Sequence, residues 1–370
     1  MRRILLCWLL LCLGGLVYAQ APSFPLLYPG LQYQVVREGD QPWAIFVLKV
    51  KRDHPEYHLV STLAQEHIFG LATVVEQAKS VPAELGTPIA AVNGDWFELP
   101  AGPYQGDLIN LFIHRGQLVS LPTVGDAFWI DPKGQPQLAH VTTDLQVTWP
   151  DGTHTALGLD GPRKDETAVL YTPVLGPSTH AIGGRELVLE RDGDSPWLPL
   201  KIGQRLTARV RAVREQGDTP LTPEIMVLSL GPQLLPSLPK INAGDRLELT
   251  VSSTPDLSEV ELAIGGKPII LTDGKIPDFG PGEQPRHPRT AIGWNSTDFF
   301  FIVVDGRRTA WSAGMTIPEL AALAQRLGCT NAINLDGGGS STLWLNDAVM
   351  NLPSDGKPRS VGNALVLVKR

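Results

Sequence analysis

Cysteine is scarce in this sequence: three in 370 residues, with Cys7 and Cys12 near the start and only Cys329 further on. Once the first residues are set aside no internal disulfide can form, and a chain of this length buries enough core to fold without one. No Cys-x-x-Cys pair is present and the eight histidines are scattered, so zinc is not indicated. Also missing are the Gly-x-Ser-x-Gly elbow of a serine hydrolase and the Gly-Lys-Ser/Thr ending of a nucleotide P-loop. There is no Lys/Arg-rich run, and 31 basic residues face 38 acidic ones for a formal charge of −7. That balance argues against nucleic acid or an anionic membrane as partner. Beyond residue 19 no hydrophobic stretch is long enough to span a bilayer.

Glycine and proline, in contrast, are plentiful at 37 and 32 residues, which points to many short strands joined by turns. Arg2 and Arg3 precede an apolar run from Ile4 to Val17, and Val17–Tyr18–Ala19 supplies small residues for cleavage. This is the layout of a secretory signal cut near Ala19; a membrane anchor is the other reading, but the run is short for a span. Cleavage removes Arg2 and Arg3, so 31 basic residues become 29 and the charge moves from −7 to −9. The expected organisation is a signal peptide (1–19), an N-terminal β-rich lead-in region (20–79) and a catalytic domain (80–370) with a β-rich insert or subdomain at about 127–270. The expected location is secreted or periplasmic. The sequence carries no signal of oligomeric state.

Trp43–Val50 and Tyr57–Ser61 read as strands, Thr73–Lys79 as a short helix, and Pro88–Val92 as a strand running into Asn93–Gly94–Asp95–Trp96–Phe97. Near the end, Phe299–Val304 is a buried-strand pattern that stops at Asp305. Thr316, Pro318 and Glu319 form a capping box, and Leu320, Leu323, Ala324 and Leu327 repeat at helical spacing up to Gly328. Ala332–Leu335 is the next strand. This predicts a β-α-β unit with parallel strands and a right-handed crossover. The fold class expected is therefore α+β (mixed α/β), β-rich with few helices. In such a unit Asp305 and Asp336 leave at the same sheet edge, near each other, where ligands bind.

The strongest chemical signal is Asn334–Leu335–Asp336–Gly337–Gly338–Gly339–Ser340–Ser341–Thr342. Three glycines in a row are costly to order; they suit a backbone that must approach an anion with its N–H groups, aided by the hydroxyls that follow. A flexible hairpin turn is the plain alternative. Arg289 offers a planar fork for phosphate, and His287 is either an acid/base or a structural hydrogen-bonder. Asn93 and Asp95 can bind sugar hydroxyls and Trp96 can stack on a sugar face; a tight turn with Trp96 in the core is the alternative. Asn363 either orients the site or caps a strand.

In order along the chain, Ala91–Phe97, His287–Gly293, Val303–Gly306, Gly314–Thr316, Asn334–Leu343 and Arg359–Asn363 together resemble the phosphodiester glycosidase family, which includes an α-N-acetylglucosaminidase acting on sugar phosphodiesters. The resemblance implies hydrolysis of a glycosyl-phosphate diester, with Asp336 and Arg289 among the functional positions. Breaking the sugar C1–O bond releases a phosphate monoester, so such a site invests in anion stabilisation more than in a strong acid. Asp336 is the first choice for the carboxylate that activates water, with Asp305 or Asp95 second. No cofactor is required, although the same acids could hold a divalent cation such as Ca²⁺. Two other readings remain open: a glycan-binding protein of the cell envelope without catalysis, and a phosphodiesterase that cuts the P–O bond.

Overall fold

The computed structural model describes residues 26–38, 42–281 and 285–370. The signal-peptide reading of Met1–Ala19 falls outside the described residues.

The apolar run Asp298–Val304 shows how the centre is built. All seven of its residues are buried, and alternate side chains serve opposite faces, as a strand requires. Phe299, Phe301 and Val303 join Leu48, Ile292, Val92 and Leu365 in one apolar cluster. Phe300, Ile302 and Val304 join Ile45, Val47, Leu320, Leu323 and Ala324 in another. The strand therefore sits in a sheet covered on both faces, by a second sheet on one side and by a helix on the other.

That first sheet has seven strands in the order Leu26–Tyr28, Leu31–Glu38, Trp43–Lys51, Asp298–Val304, Arg289–Trp294, Asn331–Asn334 and Ile269–Leu271. The sheet packed against it has five, in the order Ala348–Val349, Leu343–Leu345, Thr87–Asn93, Asn363–Lys369 and Tyr57–Leu63. Every neighbouring pair in both sheets is antiparallel. A five-stranded sheet built around Asp126–Ile130 and Leu262–Gly265, an eight-stranded sheet drawn from residues 142–254 and the two-stranded pairing of Ala72–Thr73 with Ser360–Val361 complete the sheets of the described residues. The eight-stranded sheet supplies most of a separate apolar cluster that includes Leu187, Leu206, Leu228 and Leu249.

The expectation of an α+β fold is not met. Among the described residues there are two α-helices, Val74–Lys79 and Ile317–Arg326, against twenty-seven strands. The chain is a β protein. Its long helix starts as expected: Thr316 Oγ1 accepts from the Glu319 amide at 3.2 Å and Glu319 accepts from the Thr316 amide at 2.9 Å. One such helix is a cover for one sheet face, not a layer. In the short helix, which Thr73 caps in the same reciprocal way, Val74, Gln77 and Ala78 face inward.

The β-α-β unit also needs correction. Asp298–Val304 and Asn331–Asn334 are not hydrogen-bonded neighbours, because Arg289–Trp294 lies between them and runs antiparallel to both. Two antiparallel steps restore the direction, so the outer two strands still point the same way. Asp305 and Asp336 consequently leave at one end of the sheet. The strand Thr87–Asn93 ends there too, and Arg289–Trp294, Asn363–Lys369 and Ile269–Leu271 begin there. This end collects every motif singled out in the sequence. No helix among the described residues is long and apolar enough to cross a membrane.

Candidate active site

Asn93 stitches the site together. Its Nδ2 donates to the Asp336 carbonyl at 2.7 Å, and its Oδ1 accepts from Thr290 Oγ1 at 2.8 Å and from the Thr342 amide at 3.2 Å. The Asp336 amide donates to the Gly94 carbonyl at 3.0 Å. Both ends of the glycine segment are thus clamped to the end of the Thr87–Asn93 strand. Asn363 does the same for the next turn: its Oδ1 accepts from the Asp95 amide at 2.9 Å. Asn334 Nδ2 donates to the Lys267 carbonyl at 2.6 Å. These three asparagines are fully or almost fully buried and act on backbone, which places them in the frame of the site.

The glycines do something other than form an open nest of amides. The Gly337 amide is taken by its neighbour Asp336 Oδ1 at 2.8 Å and the Gly338 amide by the Pro288 carbonyl at 2.9 Å. The Ser340 and Ser341 amides bond back into the turn. Within residues 336–342 only the Gly339 amide has no acceptor among the described residues. What the glycines provide is close approach. A Cβ on Gly337 would stand 2.6 Å from the Pro288 carbonyl oxygen, and one on Gly338 would stand 2.9 Å from an Nη of Arg307. A Cβ on Gly339 would overlap both the Arg359 guanidinium and the Asp355 carboxylate that pairs with it at 2.7 Å. Gly338 also has φ +64°, in the left-handed region. Two guanidiniums therefore rest directly on the triple-glycine turn.

The three acids differ sharply. Asp95 is buried and accepts from the Asn110 amide at 3.0 Å and from Asn110 Nδ2 at 2.9 Å. Burial pushes its pKa up to about 7, partly offset by those hydrogen bonds, while the nearby Asp336 charge raises it further. Asp305 is buried as well, and its two oxygens take Trp311 Nε1 at 2.7 Å, Asn351 Nδ2 at 3.0 Å and the Leu352 amide. Its pKa is raised by burial against those donors. Its link to the glycine segment is indirect, because Asn351 also donates to the Ser341 carbonyl at 2.9 Å. Asp336 keeps part of its surface open. Burial lifts its pKa to about 6, opposed by the Ser340 hydroxyl, the Gly337 amide, Arg359 and Arg307. The structure brings Asp95 and Asp336 together and leaves Asp305 engaged elsewhere.

Arg289 sits at the same sheet end, but two of its donors are spent on main-chain carbonyls: Nε on Met315 at 2.8 Å and an Nη on Pro285 at 3.1 Å. Burial, with Arg307 beside it, lowers its pKa to about 10. Arg307 is exposed, and one of its Nη atoms lies 3.5 Å from His287 Nδ1. Burial, Arg289 and Arg307 all depress the His287 pKa, which keeps that imidazole neutral near pH 7. Arg307 directly follows the Val303–Gly306 motif and Arg359 opens the Arg359–Asn363 motif; adjacency to a motif is the one signal the sequence carries for either. Trp96 is half-buried, with the Lys267 ammonium 5.5 Å from its ring centroid.

Ser341 Oγ, Thr342 Oγ1, Asn334 Oδ1 and Asn363 Nδ2 are buried without a hydrogen-bond partner among the described residues. Buried polar atoms are normally paired, so this concentration of unpaired ones marks the segment as specialised. No group of three or more His, Cys, Asp or Glu that could hold a metal ion occurs among the described residues. The single His-x-x-x-His spacing, His54 to His58, forms no such group, and His54 stacks on Tyr57.

Residues 212–368 match the phosphodiester glycosidase family. Within that match lie Asp336, the glycine triplet, all three arginines and His287; Asn93, Asp95 and Trp96 precede it. The SPβ prophage-derived protein YomE of Bacillus subtilis is 38% identical over 82 residues, which is 22% of this chain and 13% of that protein. A Synechocystis protein of solved structure superposes with a TM-score of 0.74 at 20% identity, covering 95% of this chain and 65% of its own. A Burkholderia pseudomallei K96243 protein superposes at 0.68 and 20% identity, covering 89% and 74%. This chain thus spans a small part of YomE and just under two thirds of the Synechocystis protein. At 20% identity the two structures establish a shared fold.

Proposed function

We propose that the protein is an exported hydrolase that cleaves the C1–O bond of a glycosyl phosphodiester in envelope or extracellular glycans. One observation carries this reading: Asp336 alone of the three candidate acids keeps an open face, and it does so beside two guanidiniums seated on the glycine turn. An acid of that kind next to fixed cations suits a reaction whose leaving group is an anion. The family match supports a phosphodiester glycosidase, and the signal-like start supports export.

In this reading Arg307 and Arg359 bind the phosphate oxygens and Arg289 adds its field from behind. The C1–O electron pair leaves with the phosphate monoester, which needs no strong acid. Asp336 stabilises the oxocarbenium-like sugar and takes the proton of the water whose oxygen joins C1. Asp95 and Asp305 hold the surrounding loops. Should a divalent cation take part, the open oxygen of Asp336 is the protein group available to it.

The test is a panel of synthetic sugar 1-phosphodiesters hydrolysed in ¹⁸O-water, with and without chelator. Label in the sugar is expected. Label in the phosphate would make the protein a P–O-cleaving enzyme, and no release of sugar from any member would make it a binder. Arg307→Lys keeps the charge but loses the fork and should raise KM about tenfold, a loss of roughly 1.4 kcal/mol.

A further inference from the structure

The strand order places unlike groups on the two flanks of Asp336. Arg289–Trp294 lies on one side of Asn331–Asn334, and Ile269–Leu271 lies on the other. Neighbouring strands are about 4.8 Å apart, so Lys267, just before the second flank, stands close to the catalytic segment and across it from Arg289. Its position is fixed by backbone. The Lys267 amide donates to the Asn334 carbonyl at 2.9 Å, Asn334 Nδ2 donates to the Lys267 carbonyl at 2.6 Å, and the Asn334 amide donates to the Pro268 carbonyl at 3.1 Å.

Lys267 is a half-buried residue, and its ammonium stands 5.5 Å from the centroid of the Trp96 ring. It has no carboxylate partner among the described residues. Trp96 follows Gly94 by two residues, and the Gly94 carbonyl holds the Asp336 amide. A cation over an aromatic ring, beside the candidate site and without a counter-ion, is open to an anionic ligand. If phosphate lies on the arginine flank, the sugar lies on this one, with its face on Trp96.

We infer that the sugar itself carries a carboxylate, as a uronic acid does, and that Lys267 reads it. The inference rests on the glycosidase reading for the orientation of the substrate. It makes Lys267 a specificity residue: the substrate is anionic at both ends, and a neutral hexose leaves the ammonium unpaired.

The experiment compares glucuronosyl and glucosyl methyl phosphodiesters, both anomers of each, with the native protein, Lys267→Met and Lys267→Arg. The native protein should favour the glucuronosyl substrate about tenfold in kcat/KM, mainly through KM. Lys267→Met should bring the ratio to about one, and Lys267→Arg should keep most of it. A native preference for glucose, or a uronate preference that survives Lys267→Met, overturns the inference. Binding of methyl glucuronoside and methyl glucoside, followed by ligand-observed NMR, separates the two readings. Uronate binding that depends on Lys267 without turnover of either phosphodiester would sink the hydrolase reading and keep this one. Equal binding of both glycosides would sink this one whatever the turnover.

Discussion

The space that a side chain on Gly339 would need is held by the guanidinium of Arg359. Gly337 faces backbone instead, the Pro288 carbonyl at 2.6 Å from its would-be Cβ. The two glycines should therefore fail differently. In Gly339→Ala the obstructing atoms are ends of side chains, which can swing away. Folding should survive, while the displaced guanidinium costs about a hundredfold in kcat/KM. In Gly337→Ala the obstacle is main chain, and the variant should lose about 1–3 kcal/mol of stability. Activity assays with urea melts of both variants check this; equal loss of stability in the two would refute it.

Asp336→Asn should abolish turnover while the fold is retained. In the native protein burial holds this carboxyl near pKa 6. A group that works as carboxylate is protonated below that value, so the rate should rise with pH through about 6 and level off above it. A flat pH–rate profile between 4 and 8 would remove Asp336 from the proton-taking role.

Much of this site was legible in the sequence, for a physical reason. Asn93, Asp95, Asp336 and Asn363 stand beside glycines at strand ends and Asn334 closes its strand, and short polar residues there are costly unless they bond to backbone or ligand. The same logic gave the helix start at Thr316 and the common direction of the strands before Asp305 and Asp336. What periodicity does not carry is which strand lies between two others. The strand Arg289–Trp294, joined to Asp298–Val304 by a short turn, pairs with it on one side and with Asn331–Asn334 on the other, which the β-α-β reading left out. Side-chain reach is equally invisible. Nothing in Arg359 or Arg307 alone says that each lies on a glycine, or that Asp305 turns toward Trp311 and Asn351.

Asp305 provides a test of that last point. Asp305→Ala leaves Trp311 Nε1, Asn351 Nδ2 and the Leu352 amide without this acceptor, and an unpaired buried donor costs about 1–3 kcal/mol. Asn351 is the buried one of the three, so denaturation should show a loss of about 1–3 kcal/mol. If Asp305→Ala keeps native stability and loses all turnover, Asp305 belongs with the reacting groups after all.

Asp107 offers a stability prediction away from the chemistry. Burial pushes its pKa up to about 7, with Glu98 adding to the shift. A raised carboxyl favours the folded state only while protonated. Its contribution is complete below the ordinary value of 3.8 and is lost as pH rises through about 7. Asp107→Asn should therefore melt above the native protein at pH 8 and no higher than it at pH 4. A melting difference that does not change with pH would contradict this.

The pairing of Trp43–Lys51 with Asp298–Val304, and of Tyr57–Leu63 with Asn363–Lys369, sets the sequence of events during synthesis. Made early, Trp43–Lys51 must wait with one edge unpaired and Tyr57–Leu63 with no strand partner at all, until partners some 250 to 300 residues downstream emerge. Such distant contacts slow folding and leave sticky edges exposed meanwhile. By the same token, residues 212–368 expressed alone would lack the neighbours that close both sheets, so the span that matches the family is not a unit that can stand by itself.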